Sequence, residues 1–246
     1  MTRLSVNLNK IALLRNSRGR DYPNVVEFAI RSIRQGARGL TIHPRQDQRH
    51  ARYRDVRALA QLLKDYHEVE LNIEGCPVPE LLDVVKEVRP DQCTLVPDAP
   101  DQVTSDHGWD VKADGERLEP IVKDLKESGV RVSLFMDPDP RQIESVPLIG
   151  ADRIELYTES YAVAYPTGDR NAVLREFAVA AGRGQELGLE VNAGHDLNLE
   201  NLSLFLTIPG ILEVSIGHAI TIESFEYGWD ETISRYAEIV SHAAHV

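Results

Sequence analysis

The chain has 246 residues, of which 42% are hydrophobic and 27% charged, with a net charge of −12 and two cysteines, Cys76 and Cys93. That length suits one α/β barrel of roughly 250 residues, and the composition excludes a disordered polyelectrolyte, a membrane span of about 18 apolar residues and a disulfide framework. Residues 1–54 hold twelve Arg or Lys against three acids, a local +9, but they stand singly among apolar positions, which argues for local anion sites and against a nucleic-acid track.

Short apolar strands alternate with amphipathic helices from end to end. Strands are expected at Leu4–Leu8, Gly39–His43, Glu68–Glu74, Gln92–Val96, Arg131–Met136, Arg153–Tyr157, Glu190–Asn192 and Glu213–Ile216. Several read as nearly all apolar, as strands covered on both faces should. The first long helix has Asn24 placed to cap it, Glu27 three residues on, an apolar face of Val26, Ala29, Ile30 and Ile33, and Gly36 to end it. Further helices are expected near 53–66, 79–88, 116–128, 140–148, 170–187, 199–206 and 220–243. Eight such units predict a parallel sheet. No G-x-G-x-x-G follows the first strand, so the expected fold is a single (β/α)8 barrel, one domain over 1–246, and not an open dinucleotide-binding sheet. The stretch Val96–Asp110, with Pro97, Pro100 and Gly108, and the stretch Thr158–Asp169 read as loops able to close over a site.

Barrel active sites form at the carboxyl ends of the strands, and here those ends are polar. Asn7, Asn9 and Lys10 follow strand one, His43 and Arg45 strand two, Asn72 and Glu74 strand three, Glu155 and Tyr157 strand six, Asn192 and His195 strand seven, and Gly217 and His218 strand eight. Singly, each histidine reads as a satisfied residue under a loop and each glutamate as half of an ion pair. Together, from separate strands, they read as a proton-transfer site. The segment Ser215-Ile-Gly-His-Ala-Ile has the form of a phosphate site at a helix N-terminus. Arg15, Arg18 and Arg20, with Arg45, Arg49 and His50, offer a second anion clamp.

The stretches VNLNKIALLRNSRG, GLTIHPRQDQRH, LNIEG, TLVPDAPDQVTS, RIELYTESYA, VNAGHDLNLENL and EVSIGHAI, in this order over most of the chain, resemble the successive motifs of the pyridoxine 5′-phosphate synthase family. The resemblance implies a vitamin B6 biosynthetic enzyme, free of metal and organic cofactor, which condenses 1-deoxy-D-xylulose 5-phosphate with 3-amino-2-oxopropyl phosphate and closes the pyridine ring, releasing phosphate and water. It places His43 and Glu74 at the family's proton acceptors, His195 at its proton donor and Glu155 at a residue stabilising charge in the transition state. Asn7, Asp196, Gly217 and His218 match positions that hold the aminoketone phosphate, and Arg18, Arg45, His50 and Thr104 match positions that hold the pentulose phosphate. Asn9 and Lys10 stand where many members carry Asp and His against the pentulose phosphate, and Asp196 where glycine is common.

The resemblance also implies a homo-oligomer, an octamer built as a tetramer of dimers. Tyr161, Tyr165, Trp109 and Trp229 are candidate contact residues, although core burial is the usual fate of such aromatics. With no signal-length apolar stretch at the N-terminus, a cytoplasmic location without membrane partner is expected. Two other readings stand beside the synthase: a metal-dependent barrel isomerase or hydrolase liganded by His43, Glu74, Glu155 and His195, and a silent barrel that binds a phosphometabolite.

Overall fold

Alternation of period two runs through the strands, and it decides which way each side chain points. In a computed structural model, which describes residues 2–99, 102 and 104–243, the eight strands are β1 (Arg3–Asn7), β2 (Gly39–Ile42), β3 (Glu70–Gly75), β4 (Gln92–Leu95), β5 (Arg131–Met136), β6 (Arg153–Tyr157), β7 (Glu190–Gly194) and β8 (Ile211–Ile216). They are parallel and close in sequence order, β8 pairing with β1 through Val214 against Leu4 and Ile216 against Val6. Pro100, in the long connection expected over the site, lies outside the described residues, as do Asp101 and Val103.

One parity of each strand, including Leu4, Val6, Leu40, Ile42, Leu71, Ile73, Val132, Leu134, Ile154 and Leu156, is fully or almost fully buried in the main apolar core. The other parity is polar and equally buried: Ser5, Thr41, Asn72, Gln92, Thr94, Ser133, Arg153, Asn192 and Glu213. Apart from Ser133, whose hydroxyl finds no partner among the described residues, these residues bond to one another around and across the barrel. Ser5 meets Thr41 at 2.7 Å, Thr94 donates to Asn72 at 3.0 Å, and Arg153 on β6 donates to Gln92 on β4 at 3.0 Å. Contacts between non-adjacent strands are possible only through the interior. The expectation that several strands are nearly all apolar is therefore corrected: the outward half is hydrocarbon, and the inward half, Phe135 on β5 aside, is a polar column.

The helices are α1 (Asn9–Asn16), α2 (Val25–Arg34), α3 (Tyr53–Leu63), α4 (Pro79–Val88), α5 (Val111–Glu127), α6 (Pro140–Ile143), α7 (Glu159–Ala164), α8 (Arg170–Glu186), α9 (Leu202–Phe205), α10 (His218–Tyr227) and α11 (Trp229–His242). Asn24 caps α2 as expected, accepting from the Glu27 N–H at 2.9 Å. Four expectations need correction. The helix expected over 220–243 is two helices, because Gly228 takes φ 78°, a left-handed value that interrupts helical hydrogen bonding. The one expected over 140–148 is α6 and a separate 3-10 turn, Val146–Ile149, with Pro147 in its first turn. The one expected from 116 starts at 111, where the Asp110 side chain accepts from the N–H groups of Lys112 and Ala113. Glu159–Ala164, expected as loop, is helical.

Tyr161, Trp109 and Trp229 are 0%, 2% and 5% exposed, so they belong to the core of the barrel itself. Among the described residues no helix is long and apolar enough to cross a membrane.

Candidate active site

Closure of the barrel brings the polar strand ends to one mouth. Asn7, Asn9, Lys10, His43, Arg45, His50, Glu74, Thr104, His195, Asp196, Gly217 and His218 line a single cavity of about 360 Å³. Two expected site residues are not part of its lining. Glu155 lies deeper in the barrel, 1% exposed, with Oε1 where a Cβ on Gly194 would stand. Arg18 is exposed on the turn after α1.

The β1 end ties the two expected proton acceptors together. Asn7 Nδ2 donates to Glu74 Oε2 at 3.3 Å, Asn7 Oδ1 accepts from the Asn9 N–H at 3.0 Å, and Asn9 Oδ1 accepts from the His43 N–H at 2.8 Å. The His43 ring lies between two carboxylates, Nδ1 3.8 Å from Glu74 Oε2 and Nε2 3.8 Å from Asp98 Oδ2. Asp98 was not singled out from the sequence. It follows β4 in a Pro-containing turn, and no spacing signals that it meets side chains more than fifty positions earlier.

Lys10, Arg45, His50 and Thr104 form the cationic side of the cavity. Arg45 Nη2 pairs with Asp98 Oδ2 at 2.7 Å, and its Nη1 donates to the Gln102 carbonyl at 2.9 Å. The anion clamp expected to include Arg15 loses that member. Arg15 is 2% exposed and makes a two-pronged pair with Asp55, at 2.5 and 2.8 Å. Its neighbour Asn16 donates to the carbonyls of Arg49 and His50 at 2.9 and 2.7 Å, so this buried group shapes the loop that carries His50.

The rest of the cavity wall is built from the ends of β7 and β8. His195 and Asp196 have φ of 78° and 59°, left-handed values rare for residues with a Cβ and commonly held at functional sites. The His195 ring rests on Phe135 and Tyr157, with centroids 4.8 and 5.3 Å away. Gly217 precedes α10, whose first N–H groups receive no side-chain cap. Any Cβ at Gly217 would stand 2.8 Å from Asn7 Cβ and 3.0 Å from the Asn7 carbonyl oxygen. Only glycine lets the β8 turn lie this close to β1.

Burial and charge set the protonation pattern. Burial, then Asp98 and Glu213, push Glu74 up to about 8. Burial with Glu74 and Glu213 holds the Glu155 carboxyl well above its ordinary range, and neither of its oxygens has a hydrogen-bond partner among the described residues. Burial, then Arg45 and His195, keep His43 well below the usual histidine value. Burial with Arg45 and Lys10 brings His195 down to about 4, and burial with Lys10 and Arg49 does the same for His50. At neutral pH protons therefore sit on the Glu74 and Glu155 carboxyls, and the imidazoles of His43, His50 and His195 are neutral. Among the described residues no three His, Cys, Asp or Glu side chains are grouped to hold a metal ion.

Residues 4–242 match the family model described as pyridoxal phosphate biosynthesis protein PdxJ. A pyridoxine 5′-phosphate synthase of Albidiferax ferrireducens is 47% identical, with 98% of each chain covered. One of Bacteroides thetaiotaomicron is 49% identical over 96% of this chain and 98% of its own. Among solved structures, 3-hexulose-6-phosphate synthase from Salmonella typhimurium aligns with a TM-score of 0.66 at 14% identity, over 98% of this chain and all of the other. That likeness concerns the barrel fold alone. By the family model and the curated relatives, each covering nearly its whole length, the chain belongs to the PdxJ family of pyridoxal phosphate biosynthesis proteins.

Proposed function

We propose that the chain is a pyridoxine 5′-phosphate synthase, a transferase of pyridoxine biosynthesis, working as one barrel domain over 1–246. It joins 1-deoxy-D-xylulose 5-phosphate to 3-amino-2-oxopropyl phosphate and releases phosphate and water. The observation that carries this reading is the single cavity in which His43, Glu74 and His195 stand between two anion-seeking poles, the α10 N-terminus at one side and Lys10, Arg45 and His50 at the other. A helix N-terminus and a guanidinium are the two commonest protein solutions for phosphate. Asn7, Gly217 and His218 belong to the first pole. Asn9, Arg18 and Thr104 complete the second, Arg18 from outside the described lining. Asp196 carries a negative charge and suits the substrate's amino group better than its phosphate.

The substrate amine condenses with the pentulose ketone by itself, so the protein supplies proton transfers. The resting protonation supports an order for the first moves. His43, neutral, takes a proton; Glu74, protonated, gives one and then serves as acceptor in the next step. A phosphate beside Lys10, Arg45 and His50 cancels part of the positive field that depresses His195, which raises its pKa toward the range where it donates to leaving oxygen. Glu155, kept neutral, presents a carboxylic acid beneath the reacting atoms as charge develops. No metal or organic cofactor enters this scheme, and the partners are the two phosphorylated ketones, with no nucleic acid or membrane.

The protein is also proposed to act in the cytoplasm as a homo-oligomer, an octamer arranged as a tetramer of dimers. Leu13 and Leu14 on α1 and Ile222, Phe225 and Tyr227 on the adjoining α10 are exposed apolar side chains that support a self-associating face. The experiment that tests the function is incubation of chelator-treated protein with both ketone phosphates, following pyridoxine 5′-phosphate and inorganic phosphate together. Equal appearance of both is expected. Appearance of neither, before and after divalent ions are restored, would refute the synthase and leave the silent-barrel reading; activity only with ions would favour the metal-dependent one.

A further inference from the structure

Asp98 sits where three parts of the site meet. Its side chain is 4% exposed. Oδ2 accepts from Arg45 Nη2 at 2.7 Å and from Ser105 Oγ at 2.9 Å, and stands 3.8 Å from His43 Nε2. Oδ1 is buried with no hydrogen-bond partner among the described residues. A buried carboxylate that leaves one oxygen bare is a poor stabilising device, so its placement calls for a role in the site. Building on the synthase reading, we infer that Asp98 is a positioning residue of this reaction: it holds Arg45 through Nη2 and faces His43 Nε2 at 3.8 Å, making loop seating, the anion-binding guanidinium and the orientation of the base one unit.

The chemistry follows from which nitrogen keeps the proton. A carboxylate facing Nε2 selects the tautomer with hydrogen there and leaves the Nδ1 lone pair free, on the side of Glu74, to accept a proton. The imidazolium that then forms is stabilised by the same carboxylate, as in other Asp-His arrangements. Arg45 also donates to the Gln102 carbonyl, and Ser105 adjoins Thr104 in the cavity wall. Asp98 thus closes a ring from the β2–α3 loop to the β4–α5 loop. The charged and titratable groups facing His43 are Glu74 on β3, Asp98 after β4, Arg45, Arg49 and His50 after β2, and His195 at the end of β7. Four of these six are cationic or become so on protonation. Burial raises the Asp98 carboxyl while Arg45 and Ser105 pull it back down; paired with Arg45 at 2.7 Å, it is the counter-charge within reach of the ring when Glu74 holds its proton.

The test uses Asp98→Asn and Asp98→Glu in the full chain, with melting temperatures as a folding control. In steady-state assays Asp98→Asn is expected to lower kcat at least tenfold. It should also raise KM for the pentulose phosphate several-fold and move the acid limb of kcat/KM to lower pH, since losing a negative charge disfavours the imidazolium; Asp98→Glu should recover part of kcat. Long-range 1H–15N spectra of unliganded protein with 15N-labelled histidine, assigned with His43→Gln, should show His43 protonated on Nε2 in the wild type and a mixed tautomer in Asp98→Asn. A wild-type His43 protonated on Nδ1 would overturn the inference, and so would an acid limb and tautomer untouched by Asp98→Asn. Wild-type protein that makes no pyridoxine 5′-phosphate would fail the synthase reading instead, while the tautomer still decides the Asp98 contact.

Discussion

Arg15 and Asp55 offer the sharpest check on how the structure divides stability from binding. Their side chains are 2% and 8% exposed and meet by two hydrogen bonds. Asp55 also accepts from the Arg52 N–H at 2.8 Å and lies 4.0 Å from the largely exposed Arg54 Nε. Replacing Arg15 by Met leaves the Asp55 carboxylate in protein interior with one hydrogen-bond donor and the more distant Arg54. Breaking one side of a buried pair costs about 3–5 kcal/mol; in a chain of this size each kcal/mol shifts the melting temperature by roughly 2–4 °C, so a fall of roughly 6–20 °C is expected. The double variant Arg15→Met/Asp55→Leu removes both charges and should recover more than half of the loss, giving a coupling energy of about 2 kcal/mol or more in a four-species cycle. Thermal melts at fixed protein concentration supply the numbers. If Arg15→Met melts within roughly 3 °C of wild type while affinity for the pentulose phosphate collapses, the anion-clamp role expected from the sequence is right and the buried-pair argument fails.

Glu74→Gln keeps the shape and an acceptor for Asn7 while removing the proton donor, and should lower kcat by about 10²–10⁴; steady-state product formation with less than a tenfold loss would take Glu74 out of proton transfer. Gly217→Ala forces a Cβ to 2.8 Å from Asn7 Cβ, a strain of about 1–3 kcal/mol, and should raise KM for the aminoketone phosphate more than that for the pentulose phosphate when each is varied in turn. Burial raises Glu213 to about 7, against the opposing pull of Arg153, so the folded protein holds this proton more tightly than the unfolded chain. The stability it confers is whole below the ordinary carboxyl pKa and is lost as pH rises through about 7. Glu213→Gln should therefore gain on wild type between pH 5 and pH 8, by up to about 3 kcal/mol in urea melts, and equal differences at both pH values would show that Glu213 ionises freely.

The strands were legible because each combines β-branched or aliphatic residues with a helix-bearing interval, and β5 and β6 fall on the expected residues. α1 was not. It starts directly after β1 with Leu8 at the cap position and no side-chain cap, so it carries none of the start signals by which α2 was found. The site was legible for a related reason: a strand end in a barrel has only one place to go, and twelve of the fourteen expected residues meet there. Arg15 misled because an arginine after the first strand reads the same whether it reaches outward to an anion or inward to Asp55, forty positions later. Asp98 was silent because its partners are set by closure of the barrel and by nothing in its own neighbourhood.

The polar column inside the barrel explains why the site is where it is. In β3 the inward positions run Glu70, Asn72, Glu74, so the same alternation that buries Leu71 and Ile73 against helices delivers a carboxyl to the mouth. Glu155 on β6 and Glu213 on β8 arrive by the same parity, and each raises the proton affinity of Glu74 or is raised by it. A hydrocarbon interior would remove Glu213 and leave Glu74 shifted by desolvation and by Asp98. The interior of the barrel is thus part of the acid–base apparatus, and a substitution such as Glu213→Gln, far below the cavity, should move the Glu74 limb of the pH–rate profile to lower pH by removing a like charge.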